Sequence, residues 1–466
     1  MNTLIKFQLG DVKSRLLNPN DIVGNSKASA VLRVACRAHP DGFKYSKRYR
    51  NGSWDGYVNL SDGVTFPTGL ISIVVAKFNE FGANVEIDYG PYTSLVGQQH
   101  VITPDYIDGI TLRDYQVEAA IKLLTSCRGI AKMATNAGKT ETLSAILKYL
   151  DYQSITVVPT KVLMYQTAER ISKRLGCHVG LVGDGKFLLE KHTVCIINSL
   201  VNKLKTSPEF VAFISDNRIL NVDECHTTSE SDRMLEAINA VPAVYRFGWS
   251  ATPLKKDVLS DMRLIGMTGK VLYEVTNKQL IDAGYSAKPT VRLVNIDNDS
   301  QGWGLDYHSA YDMLVVKNIY RNEMIRRICT RHKGDVILIP VSRIAHGELL
   351  KDLIPGAMFA SGESSPSERE EFEQAIRTTP GVYIACKIYD MGVDMPAVNV
   401  LIFAVGGKKE NTQIQRMGRG LRAKPHDNTV TMYDFIDDTN KYLLEHSEAR
   451  IDAYIQEGFH VEEATI

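Results

Sequence analysis

Short apolar runs alternate with helical stretches twice along this chain. Between about residues 110 and 280 the runs fall at 130–134, 155–158, 193–197, 219–222 and 245–249, with helical periodicity over 114–124, 139–149 and 163–175. Between about 285 and 440 they fall at 336–339, 382–385, 398–404 and 429–433, again with helices between them. A short, nearly unbroken apolar run reads as a strand buried on both faces. Such strands joined by helices form parallel βαβ units and a doubly wound sheet. The pattern predicts two α/β domains in tandem, at 110–282 and 283–440, in a chain of 466 residues that is long enough for more.

The flanks read differently. In residues 1–95, Gly52, Gly56, Gly63 and Gly69 punctuate short turns, and 31–36 and 69–78 read as β segments or as a passage from strand to helix. A small α+β domain is expected there, followed by a looser linker at 96–109. Residues 441–466 read as a C-terminal helix and tail. Leu443, Leu444, Ile451, Tyr454 and Ile455 fall close to one helical face, and Glu462-Glu463 reads as a solvated acidic end.

Charge and cysteine usage narrow the class. Lys plus Arg and Asp plus Glu are equal at 54 each, so any nucleic-acid binding must come from local patches. Seven cysteines without a Cys-x-x-Cys pair argue against a disulfide framework or a zinc site and for a reducing compartment. No stretch reaches the roughly 18 apolar residues of a membrane span. Residues 1–6 begin no signal-like run. A soluble cytoplasmic protein with no membrane partner is expected.

The chemistry sits in four motifs in fixed order. Ala134-Thr135-Asn136-Ala137-Gly138-Lys139-Thr140 lies between a predicted strand and a predicted helix, where a phosphate-binding loop must lie. Backbone N–H groups at that helix start would face phosphate oxygens, Lys139 would reach the β- and γ-phosphates of ATP, and the Thr140 hydroxyl would ligate Mg²⁺. Thr135, Asn136, Ala137 and Gly138 complete the loop. Met133 stands where the full pattern has its first Gly, and Asn136 where Gly or Ser is common; Asn tolerates the left-handed backbone the turn needs. Asp223-Glu224-Cys225-His226 follows a predicted strand, at the end where ligands bind in open α/β sheets. Asp223 would hold Mg²⁺ through water and Glu224 would orient and deprotonate the attacking water.

Ser250-Ala251-Thr252 is the third motif. The fourth is Gln415-Arg416-Met417-Gly418-Arg419-Gly420-Leu421-Arg422. Arg419 and Arg422 are three apart, so both guanidiniums share a helical face. An arginine at the γ-phosphoryl group in the transition state is worth a factor of roughly 10³ to 10⁵. These arginines belong to the second predicted α/β domain and Lys139 to the first, so the nucleotide is expected in the cleft between them.

The motifs together resemble the superfamily 2 helicases of the DExH type over about residues 110 to 440. The resemblance implies two RecA-like domains and a catalytic set of Lys139, Asp223, Glu224, Gln415, Arg419 and Arg422. It also gives Leu112-Arg113-Asp114-Tyr115-Gln116 the look of an adenine-reading motif, with Arg113 and Gln116 at the nucleotide. Val158-Pro159-Thr160 resembles the motif that grips a nucleic-acid backbone. Ser250 and Thr252, with His226, resemble the element coupling hydrolysis to movement. Asp390-Met391-Gly392-Val393-Asp394-Met395-Pro396 puts Gly392 and Asp394 in nucleotide-facing positions. The chain is similar in more detail to the phage UvsW-type helicases. Arg48-Tyr49-Arg50-Asn51-Gly52-Ser53-Trp54-Asp55-Gly56 and Phe66-Pro67-Thr68-Gly69-Leu70 echo their small DNA-binding domain. That similarity implies a DNA enzyme, monomeric and in the host cytoplasm, that remodels forks and Holliday junctions.

Nucleic-acid contacts are sought in two places. Arg37, Lys44, Lys47, Arg48 and Arg50 cluster with Phe43, Tyr45 and Tyr49, against one acid, Asp41. Basic and aromatic residues together suit phosphate contact with base stacking or wedge insertion, although a solvated loop with its aromatics in the core reads the same way. Trp54 reads as core. The other candidates are Thr160, Asn198 with Ser199, and Ser342 with Arg343. An RNA helicase, the motor of a restriction system and a DNA-binding scaffold with a dead ATP site stay open, the last because of Met133 and Asn136.

Overall fold

A computed structural model gives the fold and describes residues 3–466 other than 96, 135, 230, 255–256, 297–301, 387–396 and 408–427. The chain divides into two compact units. One is Met1–Met133 with Gly138–Val275, and the other is Ala134–Ala137 with Thr276–Ile466.

The first unit holds two principal sheets. The smaller comprises β1 (Leu4–Gln8), β2 (Lys13–Leu16), β3 (Thr65–Pro67) and β4 (Asn84–Asp88) in the order β3-β2-β1-β4, with only the β1–β4 pair parallel. The segments read as β or strand-to-helix passages are helices, Ala28–Ala35 and Ile71–Glu80. Their β-branched content favours a strand, but Ala28, Val31, Leu32 and Ala35 recur at helical spacing and all four are buried. This small sheet does not close its core alone. Leu259 and Met262 of helix Val258–Thr268 complete it, with Ile265 packed alongside. The backbones approach closely at this seam: a Cβ on Gly69 would stand 1.9 Å from the Ile265 carbonyl oxygen.

The larger sheet has eight strands: β5 (Arg128–Met133), β6 (Ser154–Val158), β7 (Gly180–Gly183), β8 (Lys186–Leu188), β9 (His192–Ile196), β10 (Ile219–Asp223), β11 (Tyr245–Ser250) and β12 (Val271–Val275). Their order is β8-β7-β9-β6-β10-β11-β5-β12, and every pair is parallel except the β7–β8 hairpin. β6 and β11 are buried along their whole length, as strands covered on both faces must be. Parallel pairing sets the C-terminal ends side by side: Val158 faces Ile196, Val222 faces Gly248 and Ser250 faces Lys132.

The second unit carries one seven-stranded, all-parallel sheet. Its strands are β13 (Lys288–Asn295), β14 (Val336–Val341), β15 (Met358–Ala360), β16 (Gly381–Cys386), β17 (Val400–Ile402), β18 (Thr429–Ile436) and β19 (His460–Ala464), in the order β15-β16-β14-β17-β18-β13-β19. The acidic end is not a free tail. It forms the edge strand β19, and Glu462 pairs with Arg292 of β13 at 2.8 Å. Helix Lys441–Gln456 buries Arg450, whose guanidinium meets both Asp434 oxygens at 2.9 and 3.2 Å. Among the described residues no helix is long and apolar enough to cross a membrane.

Candidate functional site

The turn after β5 has backbone geometry suited to an anion. Asn136 and Gly138 both adopt left-handed backbone, φ 71° and 76°, before helix Lys139–Leu150 begins. Left-handed residues just ahead of a helix start aim successive N–H groups into one concavity, where the helix dipole adds positive potential. Met133 is wholly buried as the last residue of β5, so the position lacking Gly belongs to the strand and not to the turn. Gln116 packs beneath the turn: a Cβ on Gly138 would stand 2.2 Å from its Nε2. Its Oε1 accepts the Arg113 N–H at 2.9 Å and caps helix Asp114–Ser126. The sequence pointed to Gln116 for a base and carried no signal for this packing.

A chain of polar contacts runs from the turn across the sheet edge. Lys139 Nζ lies 3.1 Å from Glu224 Oε1, with both side chains about four-fifths buried. Glu224 sits at φ 47°, ψ 46°, a left-handed conformation that costs a non-glycine residue of order 1 kcal/mol and turns the chain sharply at the end of β10. Its other oxygen, Oε2, is 3.5 Å from His226 Nδ1. The same ring nitrogen is 2.8 Å from Ser250 Oγ, and Ser250 Oγ accepts the Thr252 N–H at 3.0 Å. Lys139, Glu224, His226, Ser250 and Thr252 therefore form one continuous path. Cys225, next to Glu224 in sequence, is buried in the apolar core, and that burial pushes its thiol pKa far up, so it stays protonated and inert.

The donor chemistry fits Mg²⁺ and a polyphosphate. Thr140 offers a hydroxyl at the helix start and Asp223 a carboxylate at the end of β10; both are hard oxygen ligands. The turn offers N–H donors and Lys139 a charge. Two further contacts went unforeseen. Glu141 and Arg174 form a paired contact at 2.6 and 3.2 Å that ties the helix after the turn to helix Lys161–Leu175. Asn221 accepts the Trp249 indole N–H at 2.9 Å beneath the site.

The other candidates divide into groups. Thr160 caps helix Lys161–Leu175 by accepting the Leu163 N–H at 3.3 Å, and Asn198 is exposed in the first turn of helix Ile197–Thr206. They follow the neighbouring strands β6 and β9, so they share the sheet edge with the phosphate turn but lie further along it. In the second unit Ser342 and Arg343 follow β14. Arg343 pairs with Asp312 at 3.1 Å over the Tyr311 ring. Asp312 and Tyr311 belong to a π-helical turn, Tyr311–Val316, which no sequence signal marked. In the N-terminal cluster Lys44, Lys47, Arg48 and Arg50 are exposed and Arg37 is half-buried. Trp54 is half-buried and donates to the Tyr57 carbonyl at 2.7 Å. Thr135, Gly392, Asp394, Gln415, Arg419 and Arg422 lie outside the described residues.

Comparison with known proteins places these features. The family model described as Type III restriction enzyme, res subunit, matches residues 109–255, and the helicase conserved C-terminal domain matches residues 320–424. The chain is 22% identical to the ATP-dependent DNA helicase uvsW of Enterobacteria phage T4, over 90% of this chain and 92% of that protein. It is 27% identical to the DNA 3'-5' translocase XPB2 of Sulfurisphaera tokodaii, over 68% of this chain and 80% of that one. The DNA-bound Type ISP restriction-modification enzyme LlaBIII shares the fold, with a TM-score of 0.54 at 16% identity, over 82% of this chain and 33% of that one.

Proposed function

The chain belongs to the superfamily 2 helicases and is an ATP-dependent DNA helicase, and on that footing we propose that it remodels branched DNA, forks and four-way junctions, as a monomer in the cytoplasm. The observation that carries the motor reading is the unbroken path from Lys139 through Glu224 and His226 to Ser250 and Thr252. The branched substrate rests on the resemblance of the N-terminal segment to the UvsW-type helicases, beside a match to a phage DNA helicase over 90% of this chain.

The contacts around Lys139, Glu224 and His226 support the first of the proposed roles. Phosphates entering the turn compete with Glu224 for Lys139, and the released carboxylate is free to orient a water and take its proton. The departure changes what His226 Nδ1 faces, and Ser250 and Thr252 feel that change through direct hydrogen bonds. Bound at Thr140 and Asp223, Mg²⁺ would neutralise charge on the phosphates. Gln116 and Arg113 brace the turn and are proposed to contact the base, while Gly392 and Asp394 are assigned to the nucleotide by resemblance alone. By the same resemblance Gln415, Arg419 and Arg422 are assigned to the transition state. Thr160, Asn198, Ser342 and Arg343 take a DNA backbone.

The test is ATPase stimulation and product formation on forks and four-way junctions beside plain duplex and RNA. Stimulation by forked DNA above both controls is expected; equal stimulation by single-stranded RNA would refute the reading. A second reading, the motor of a restriction system, is favoured by the restriction-subunit family model. It requires plain duplex to stimulate as strongly as forks.

A further inference from the structure

We propose that the segment from Arg37 to Tyr57 grips the phosphate backbone of duplex DNA and does not stack the bases of a single strand. The proposal deepens the reading of the chain as a DNA helicase and rests on it.

Four rings of this segment, His39, Phe43, Tyr49 and Tyr57, already have ring partners. Phe43 stacks on His39 with centroids 3.9 Å apart, and His39 stacks on Tyr57 at 3.8 Å. Tyr57 is capped on its other face by the Arg37 guanidinium at 4.1 Å. The four groups form one column. Tyr49 meets Phe43 edge-to-face at 4.9 Å. Gly56, at φ 85°, closes the column: a Cβ there would stand 2.6 Å from the Phe43 ring, and its carbonyl pairs with His39 Nδ1 at 2.8 Å. Single-strand binders need open aromatic faces to stack bases. Here Tyr45 is the most exposed ring, at 78% against 37% for Tyr49, and Arg50 lies over it at 5.9 Å.

What the column does present is charge. Lys44, Lys47, Arg48 and Arg50 are exposed on it, and among the described residues neither they nor Arg37 lies within 4.0 Å of a carboxylate. The segment holds five cations and two acids, Asp41 and Asp55, in a chain whose charges otherwise balance. A surface offering cations without stacking faces recognises phosphate density. Duplex DNA carries one charge per about 1.7 Å of axis, against about 3.4 Å for each strand. The grip is also held in place. Strand Arg37–Ala38 lies against helix Val258–Thr268, the helix that follows Ser250-Ala251-Thr252, and the seam at Gly69 and Gly266 leaves no room for sliding.

The test uses the full chain carrying Lys44→Ala, Lys47→Ala and Arg48→Ala together, and separately Tyr45→Ala. Affinity is measured for a short blunt duplex and for a single strand of the same length. Each phosphate contact contributes about 0.9 to the slope of log affinity against log salt, so the triple variant should lose about 2.7 of the duplex slope. Between about 50 and about 200 mM salt that flattens the wild-type loss by roughly 40-fold. Single-strand affinity should change by less than about threefold in Tyr45→Ala, because stacking of even one base is worth about 1–3 kcal/mol, and in the triple variant it should fall by less than duplex affinity does. An unchanged duplex slope, or a single-strand loss as large as the duplex loss, would overturn the proposal. So would a large single-strand loss in Tyr45→Ala. Unchanged unfolding midpoints in both variants exclude misfolding as the cause. A wild-type protein that bound neither DNA would refute the helicase reading itself, a result distinct from these.

Discussion

Glu224→Gln gives two effects of opposite sign, and the structure sets both. Gln is nearly isosteric with Glu and takes the same left-handed backbone, so the turn after β10 should persist. The ion pair with Lys139 at 3.1 Å disappears. Desolvation of two largely buried charges offsets much of their attraction, leaving a net worth on the order of 1 kcal/mol. Phosphates no longer displace it, so ATP should bind up to about fivefold tighter, since about 1.4 kcal/mol is one decade. Hydrolysis should fall by roughly 10² to 10⁴, the usual contribution of a positioned general base. Equilibrium binding of a fluorescent ATP analogue reads the first effect and single-turnover hydrolysis the second. The gain in affinity should shrink as salt rises, because the lost pair is itself screened. Turnover within about tenfold of wild type would remove Glu224 from water activation. Weaker ATP binding would show that Glu224 does not compete for Lys139.

Ser250→Ala removes the hydrogen bond to His226 and the acceptor for the Thr252 N–H; with each worth about 1 kcal/mol, ATP hydrolysis should stay within a few-fold while fork processing falls about tenfold. Equal losses in both assays would place Ser250 in the chemistry instead of the coupling. Gly69→Ala puts a methyl into the Ile265 carbonyl, and overpacking of that kind costs about 1–3 kcal/mol, so its urea midpoint should drop; an unchanged midpoint would mean the seam yields. Burial lowers the pKa of His192 to about 4 and of His346 to about 3 from an ordinary 6.5. The unfolded chain takes up protons below about pH 6.5 that these folded imidazoles refuse, so stability should fall as pH drops from 6.5 towards 4. Urea titrations at pH 7 and pH 5 read this, and His192→Gln should flatten part of the slope.

The apolar runs exposed most of the large sheets because a strand buried on both faces has no other pattern. Runs at 155–158, 219–222 and 245–249 sit inside Ser154–Val158, Ile219–Asp223 and Tyr245–Ser250. The strands that escaped lie towards the edges, where one side needs no partner and the run is broken by Gly, Lys or Glu. Gly180–Gly183, Lys186–Leu188 and His460–Ala464 are of this kind. Motif residues were legible wherever chemistry demands a residue type, as at Gly138, Lys139 and Glu224. Partners that come together only through folding left no trace in the sequence. Gln116 under Gly138, Glu141 with Arg174, and Asp312 with Arg343 are contacts between elements, and nothing local to either residue announces them. The aromatic run near Phe43 shows the reverse. Its composition suited stacking on bases, but the fold spends those faces on His39 and Tyr57.

In the proposed function, phosphate binding at Lys139 drives remodelling of branched DNA. Single-turnover regression of a model replication fork, with and without ATP, by the wild type and by Lys139→Ala tests it most directly. ATP-dependent product from the wild type and none from the variant is the predicted result. Equal product from both proteins, or equal product with and without ATP, would contradict it.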